Sequence, residues 1–339
     1  MNNQGIYIYG FVPGDCSVIL KNILLESGIY SIEYQNISAI VSDTKNDKLE
    51  YLDREALAHL LVNHQQKLEK VMSGGCSKII PMQLGTIVSS GNDVIKIIKN
   101  GNDILNATFQ VIENVEEIDV VAVWNNFSDL IKSISDLPQI KLMREELDKK
   151  TSFDQADSIA VGKLIKEKID SKNNKVNADI VAALMPFCLE SKKHEAMNDE
   201  MPLNYAFLVK KENSNSFMDM IDQLDVKYDE KLNFKIVGPL PCYSFYTIES
   251  KVIMKDDIEN AKKILGIDTF NSDSDLKKAY RNKASLTHPD KTGEIQKDGT
   301  DSFIETNKAY KLLLDYSSII RQSPENVSKE PLYIVKIKN

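Results

Sequence analysis

Alternating hydrophobic periods in the first 125 residues constrain this chain more than any other feature. Gly5–Val12 reads as a strand, with Ile6 and Ile8 alternating with Tyr7 and Tyr9. Cys16–Glu26 carries Val18, Ile19, Ile23 and Leu24 at helical spacing. Ser31–Tyr34 and Ile37–Ser42 read as short strands around a tight turn at Gln35 and Asn36. Asp53–Met72 is predicted as a long helix. Asp53 is its N-cap, and Leu57, Leu60, Leu61, His64, Leu68 and Val71 line one face. Lys78–Val88 is strand-like but interrupted by Pro81 and Gly85, as at an edge or bulge. A helix from Asp93 to Glu113 is weakened by Gly101, and Ile118–Trp124 is again a strand.

The order β-α-β-β-α-β is that of a ferredoxin-like sandwich, here extended by one more helix and strand. Residues 126–196 differ: glycine nearly vanishes and charge rises. Ile159, Leu164, Ile165, Ile169, Val176, Ile180, Val181 and Leu184 predict a helical connector. It is expected to kink or break near Asn173 and end near Pro186, with Glu190–Glu200 as a charged linker. A second, smaller α+β unit follows, with strand Asn204–Lys210, helix Ser216–Leu224 and strand Leu232–Val237. It runs into Gly238–Phe245, stiffened by Pro239 and Pro241. From Asp257 to Leu314 the pattern is purely helical. Leu332–Ile337 alternates like a strand and is expected to pair with a sheet of the second unit, because such alternation is unusual in a free tail. The expected class is α+β: an extended ferredoxin-like domain (1–125), a helical connector plus a second α+β unit (126–250), an all-α domain (255–320) and a tail (321–339).

Composition narrows the function. The net charge of −8, from 42 Lys and Arg against 50 Asp and Glu, supplies no field for nucleic acid. The four cysteines are far apart in sequence and form no CxxC, so they read as small buried hydrophobes in a reducing compartment. None of the four histidines lies at ligand spacing to a cysteine, so no metal site is expected. No basic leader and no apolar run of about 18 residues is visible, so the expectation is a cytoplasmic protein without a membrane span.

One motif stands out. His288-Pro289-Asp290 lies between two amphipathic helices and is followed by Lys291. Ahead of it, Ile264-Leu265-Gly266-Ile267 ends a short helix at a glycine cap. Ser274 or Asp273 is expected to cap the next helix, which carries Leu276, Lys277, Lys278, Ala279, Tyr280 and Arg281. A third helix carries Phe303, Asn307, Ala309, Tyr310 and Leu313. Residues 258–318 resemble a J domain, the module by which Hsp40 proteins engage Hsp70 chaperones. Lys283 and Thr287 depart from the family's pattern, which favours a small or apolar residue and an aromatic there. The resemblance implies antiparallel packing through Leu276, Ala279, Tyr280, Phe303, Tyr310 and Leu313. It also implies a basic face of Lys277, Lys278 and Arg281 for an acidic Hsp70 surface, and His288, Pro289 and Asp290 as the trigger of ATP hydrolysis in that partner.

The rest of the chain has its own signature. In order come Tyr7-Ile8-Tyr9-Gly10-Phe11-Val12, Ile37–Ser42, His64, Ile79-Ile80-Pro81-Met82-Gln83-Leu84-Gly85-Thr86, Ala206–Val209 and Gly238–Phe245. This ordered set, over residues 5–246, resembles the gas vesicle GvpL/GvpF family. Cys242 and Gln83 stand where the family usually has a proline and a cation, and Val120–Asn125 lacks the family's Glu and Lys. The resemblance implies an accessory protein for gas vesicle assembly, associated with the vesicles. Its implied partners are the very hydrophobic shell protein, Hsp70 and other gas vesicle accessory proteins, with no nucleic acid and no membrane. The alternative is an Hsp70 co-chaperone for a different client.

An enzyme is not expected, and neither catalytic residues nor a cofactor are assigned. His64 reads as a core or helix-capping histidine with a satisfied hydrogen bond, and His59 is five residues away, the wrong spacing for a shared ligand. Asp43, Asp47, Asp53 and Glu55 lack a calcium loop's glycine. Gly74-Gly75-Cys76 has no Lys-Ser/Thr after it, so it reads as a helix cap rather than a phosphate loop. Ser42, Ser89 and Ser90 lack nucleophile-elbow glycines. Of Tyr7, Tyr9, Phe11 and Trp124, half are expected to face a core and half an exposed surface.

Overall fold

The computed structural model describes residues 4–16, 28–45, 53–148, 155–287, 297–322 and 331–338. They form two compact units, Met1–Phe109 with Tyr246–Asn339, and Gln110–Phe245.

The first unit opens with β1 (Gln4–Pro13), β2 (Tyr30–Tyr34) and β3 (Ile37–Lys45). Then come α1 (Arg54–Ser73), β4 (Ile80–Pro81), β5 (Ile87–Val88), α2 (Gly91–Asn100) and α3 (Asn102–Ile112). The sheet order is β2-β3-β1-β4 with β5 also on β1, and every pair is antiparallel. This is the expected ferredoxin-like order. The interruption at Pro81 and Gly85 splits the outer strand into β4 and β5, and Gly101 separates α2 from α3. Asp53 caps α1, its Oδ1 accepting the Ala56 N–H at 2.8 Å. The predicted helix at Cys16–Glu26 lies outside the described residues beyond Cys16.

Two expectations change here. Only His64, Leu68 and Val71 of the α1 stripe are buried, while Leu57 and Leu61 are exposed. The cysteines are not four separate thiols: Cys16 and Cys76 form a disulfide with Cα atoms 5.7 Å apart. Sixty residues separate them in sequence, but β1 pairs with β4, which brings the end of one beside the turn before the other. Cys188 and Cys242 remain free thiols.

The second unit is built on β6 (Val115–Trp124), followed by α4 (Phe127–Ser135), α5 (Pro138–Asp148) and α6 (Gln155–Leu184). β7 (Cys188–Lys193), β8 (Leu203–Lys210), α7 (Ser214–Tyr228), β9 (Leu232–Leu240) and the single turn α8 (Tyr243–Tyr246) complete it. The sheet order is β7-β8-β6-β9, again all antiparallel. Renumbered from β6, this is the order of the first sheet, so the chain carries the ferredoxin-like arrangement twice.

The strand read as closing the first domain is therefore the founding, central strand of the second sheet. The predicted connector is that sheet's first crossover: Leu130, Ile134, Ile140, Ile169, Ile180 and Leu184 share one core with Val120, Phe207 and Phe217. Fully burying a side chain such as Phe207 contributes roughly 1.5–3 kcal/mol. α6 does not break at Asn173, because that side chain is tied into tertiary structure. It accepts from Trp124 Nε1 and donates to the Asp199 carbonyl, both at 2.8 Å. The charged stretch after Leu189 is no linker, since Glu190–Lys193 pairs with β8 at the sheet edge.

After β10 (Ile248–Ile253) come three helices, α9 (Lys255–Leu265), α10 (Asp273–Thr287) and α11 (Lys297–Gln322), and then β11 (Leu332–Ile337). The tail strand is ordered, but it does not join the second sheet. It pairs antiparallel with β10, from Ile248 opposite Ile337 to Ile253 opposite Leu332. Leu332 and Ile334 thereby enter the core of the three helices. Among the described residues no helix is long and apolar enough to cross a membrane.

Candidate functional site

The three-helix region is held by Ile258, Ala261, Leu265, Leu276, Ala279, Ala309, Leu313 and Ile319. Gly266 ends α9 in the left-handed conformation, with φ 70°. Ser272, not Ser274 or Asp273, caps α10: its hydroxyl receives the Asp275 N–H, and the Asp275 carboxylate receives the Ser272 N–H. Asp273 instead accepts from Ser317 Oγ and Arg321 on α11, each at 2.8 Å, and these partners hold its carboxyl below the usual range. Tyr280 stacks on Tyr310 with centroids 4.4 Å apart and donates to Asn307 at 2.6 Å. These contacts join α10 and α11 as antiparallel neighbours. Phe303, expected in the same interface, is half-buried.

This scaffold leaves Lys277, Lys278 and Arg281 exposed on α10. Residues 277 and 281 are four apart and share a face. Lys278 and Lys283 also line a cleft of about 370 Å³ whose walls include Leu265, Ile267 and Ala279. His288, Pro289 and Asp290 lie outside the described residues, as does Lys291.

In the first unit, His64 is buried beside Tyr7 and Tyr9. Tyr7 Oη accepts the Gly85 N–H at 3.0 Å and is hydrogen-bonded to His64 Nδ1 at 2.8 Å. Burial drives the His64 pKa down to about 4, which suits a neutral, core histidine. Tyr7, Tyr9, Phe11 and Trp124 are all buried, not half of them, because each lies on the central strand of its sheet.

A polar cluster in the second unit escaped the sequence reading. Glu117 and Asp119 are two apart on β6 and so share one face. Glu117 is 1% exposed and accepts from the Ser244 N–H at 2.8 Å and the Ser244 hydroxyl at 2.7 Å. That hydroxyl also lies 3.2 Å from His194 Nε2, and Lys192 donates to the Ser244 carbonyl at 2.7 Å. Asp119 Oδ1 is buried without a hydrogen-bond partner. The two carboxyls act on one another as well as on their surroundings. Burial pushes both upward, Glu117 to about 7. The chemistry of this group is to hold a proton and to pin the Cys242–Phe245 turn on the sheet. Its signal was legible as Glu-x-Asp running into the apolar stretch Val120–Trp124.

Comparison with known proteins decides what carries these features. A profile described as gas vesicle synthesis protein GvpL/GvpF matches residues 5–247. The chain belongs to the GvpL/GvpF family. A DnaJ domain matches residues 262–319 of the same GvpL/GvpF chain, separate from the first match. It is similar to gas vesicle protein F of a Nostoc strain, 24% identical over 248 residues, covering 73% of this chain and 99% of that protein. Gas vesicle protein F of Microcystis aeruginosa is 22% identical over 244 residues, with 71% and 97% covered. The chaperone protein DnaJ of Fusobacterium nucleatum is 45% identical over 56 residues, 15% of this chain and 14% of that protein. The crystal structure of GvpF from an Anabaena species shares the fold of the GvpL/GvpF part, with TM-score 0.56, 22% identity and coverage of 71% and 97%. That of GvpF from Microcystis aeruginosa gives TM-score 0.55 at 21% identity.

Proposed function

We propose that this protein is an accessory factor for gas vesicle assembly: its GvpL/GvpF part holds the hydrophobic shell protein, and its J domain brings Hsp70 to the same place. The observation that carries this reading is the presence of both families, without overlap, in one chain. A subunit with a large apolar face associates before it is placed unless something holds it. The edge strand β9, with Ile236 and Val237 exposed, supports capture by strand addition. The exposed Lys277, Lys278 and Arg281 support docking on an acidic chaperone surface. Fusion raises the local concentration of Hsp70 at the client without any new contact.

The test is a pull-down with the shell protein, with and without residues 255–320, alongside His288→Gln in the vesicle-forming host. Shell-protein capture that survives the deletion, together with vesicle yield lowered by His288→Gln, is expected. No capture by either form refutes the shell-protein reading. Normal vesicles with rising general aggregation favour a co-chaperone of another client.

A further inference from the structure

β11 has two working faces. Leu332 and Ile334 are buried with Ile258, Ala261, Leu265 and Leu313 in the J-domain core. The alternate residues, Tyr333 and Val335, meet α2 of the first ferredoxin-like domain. The Tyr333 carbonyl accepts from Asn100 Nδ2 at 2.8 Å. The Tyr333 side chain is buried, with the Asp93 carboxylate acting on its phenol. Val335 Cγ1 sits where a Cβ on Gly101 would approach to 2.7 Å, so only glycine admits this packing. The strand that enters the J domain is tied to the same body. Ile248 bridges Met82, and its carbonyl accepts the Gln83 N–H at 2.7 Å.

A domain joined to its neighbour at one end swivels. This one is fastened where the chain enters it and where the chain leaves it. We propose that β10 and β11 form a mount that fixes the J domain on the first ferredoxin-like domain, presenting Lys277, Lys278 and Arg281 to an acidic protein partner in one orientation. The partner's class rests on the J-domain reading above; the mount itself does not. A chaperone docked there meets the body at one place and angle, and the orientational freedom of a tether is absent.

The experiment uses the full chain and two variants that strike the mount from opposite sides, Gly101→Val and Val335→Lys. Both spare Leu332 and Ile334 in the J core. Amide relaxation in the wild type is expected to give α9–α11 the same rotational correlation time as β1–β3. In each variant the J-domain value falls several-fold and β11 amides exchange at least tenfold faster, while α9–α11 amides stay protected. A J domain that tumbles faster than the body in the wild type, or two variants that leave tumbling and exchange unchanged, would overturn the mount. Stimulation of a bacterial Hsp70 ATPase separates the two readings. Common tumbling without stimulation keeps the mount and removes the chaperone partner.

Discussion

Replacing Glu117 with Gln tests the buried carboxyl pair. In the unfolded chain this carboxyl titrates near 4.5; in the fold it titrates near 7, chiefly because burial penalises the charged form. Ser244 opposes the shift by donating twice, and Asp119 adds to it. The folded pKa of an acid is raised, so below about 4.5 both states hold the proton and nothing is lost. As pH climbs from 4.5 to 7 the unfolded chain releases its proton first, and unfolding becomes easier. Above about 7 the full penalty applies. At about 1.4 kcal/mol per pH step the gap is worth about 3 kcal/mol. Gln preserves the geometry: its oxygen accepts the Ser244 N–H, and its amide donates to Ser244 Oγ and supplies a donor for Asp119 Oδ1. Urea unfolding of the second unit, followed by hydrogen exchange from pH 4 to 9, reads the difference between the two proteins. The variant and wild type are expected to coincide near pH 4 and to diverge to about 3 kcal/mol in favour of the variant at pH 8.5. A difference that does not change with pH, or a variant less stable at pH 8.5, refutes the reasoning.

Other outcomes follow from single contacts. Asn173→Ala leaves the Trp124 indole N–H and the Asp199 carbonyl without their partner and is expected to cost about 1–3 kcal/mol in urea unfolding. An unchanged midpoint would mean that α6 does not depend on this anchor. Leu313→Ala opens the fully buried centre of the J-domain core and is expected to cost about 2–5 kcal/mol, read as lost amide protection across α9–α11. Reversing Lys277, Lys278 and Arg281 to Glu is expected to leave the melting temperature within a few degrees of wild type yet abolish Hsp70 binding. In the wild type that binding should weaken as salt rises; salt-independent binding would contradict docking through this face. In the first unit, Tyr7→Phe removes the hydrogen-bond partner of His64 and the acceptor for Gly85, at an expected cost of about 1–3 kcal/mol by thermal unfolding near pH 7.

By itself the sequence determined what depends on neighbours along the chain. Helical period, caps and breakers placed α1 at Asp53, the turn at Gln35 and Asn36, the interruption at Pro81 and Gly85, and the J-domain helices. Each of these is a local matter of which face is apolar and which backbone group lacks a partner. What joins to what was decided only by tertiary structure. β6 looked like the end of one sheet and is the centre of another, because an alternating strand announces a buried face without naming its neighbour. Asn173 looked like a helix breaker and is an anchor, because its competing hydrogen bonds are made to Trp124 and the Asp199 carbonyl rather than to its own backbone. Glu117 acquired its two Ser244 donors only when the Ser244 turn closed over it. The tail strand announced its alternation correctly. Its partner, β10, was settled by a core that exists only after the J-domain helices have packed, and by the space that Gly101 leaves for Val335.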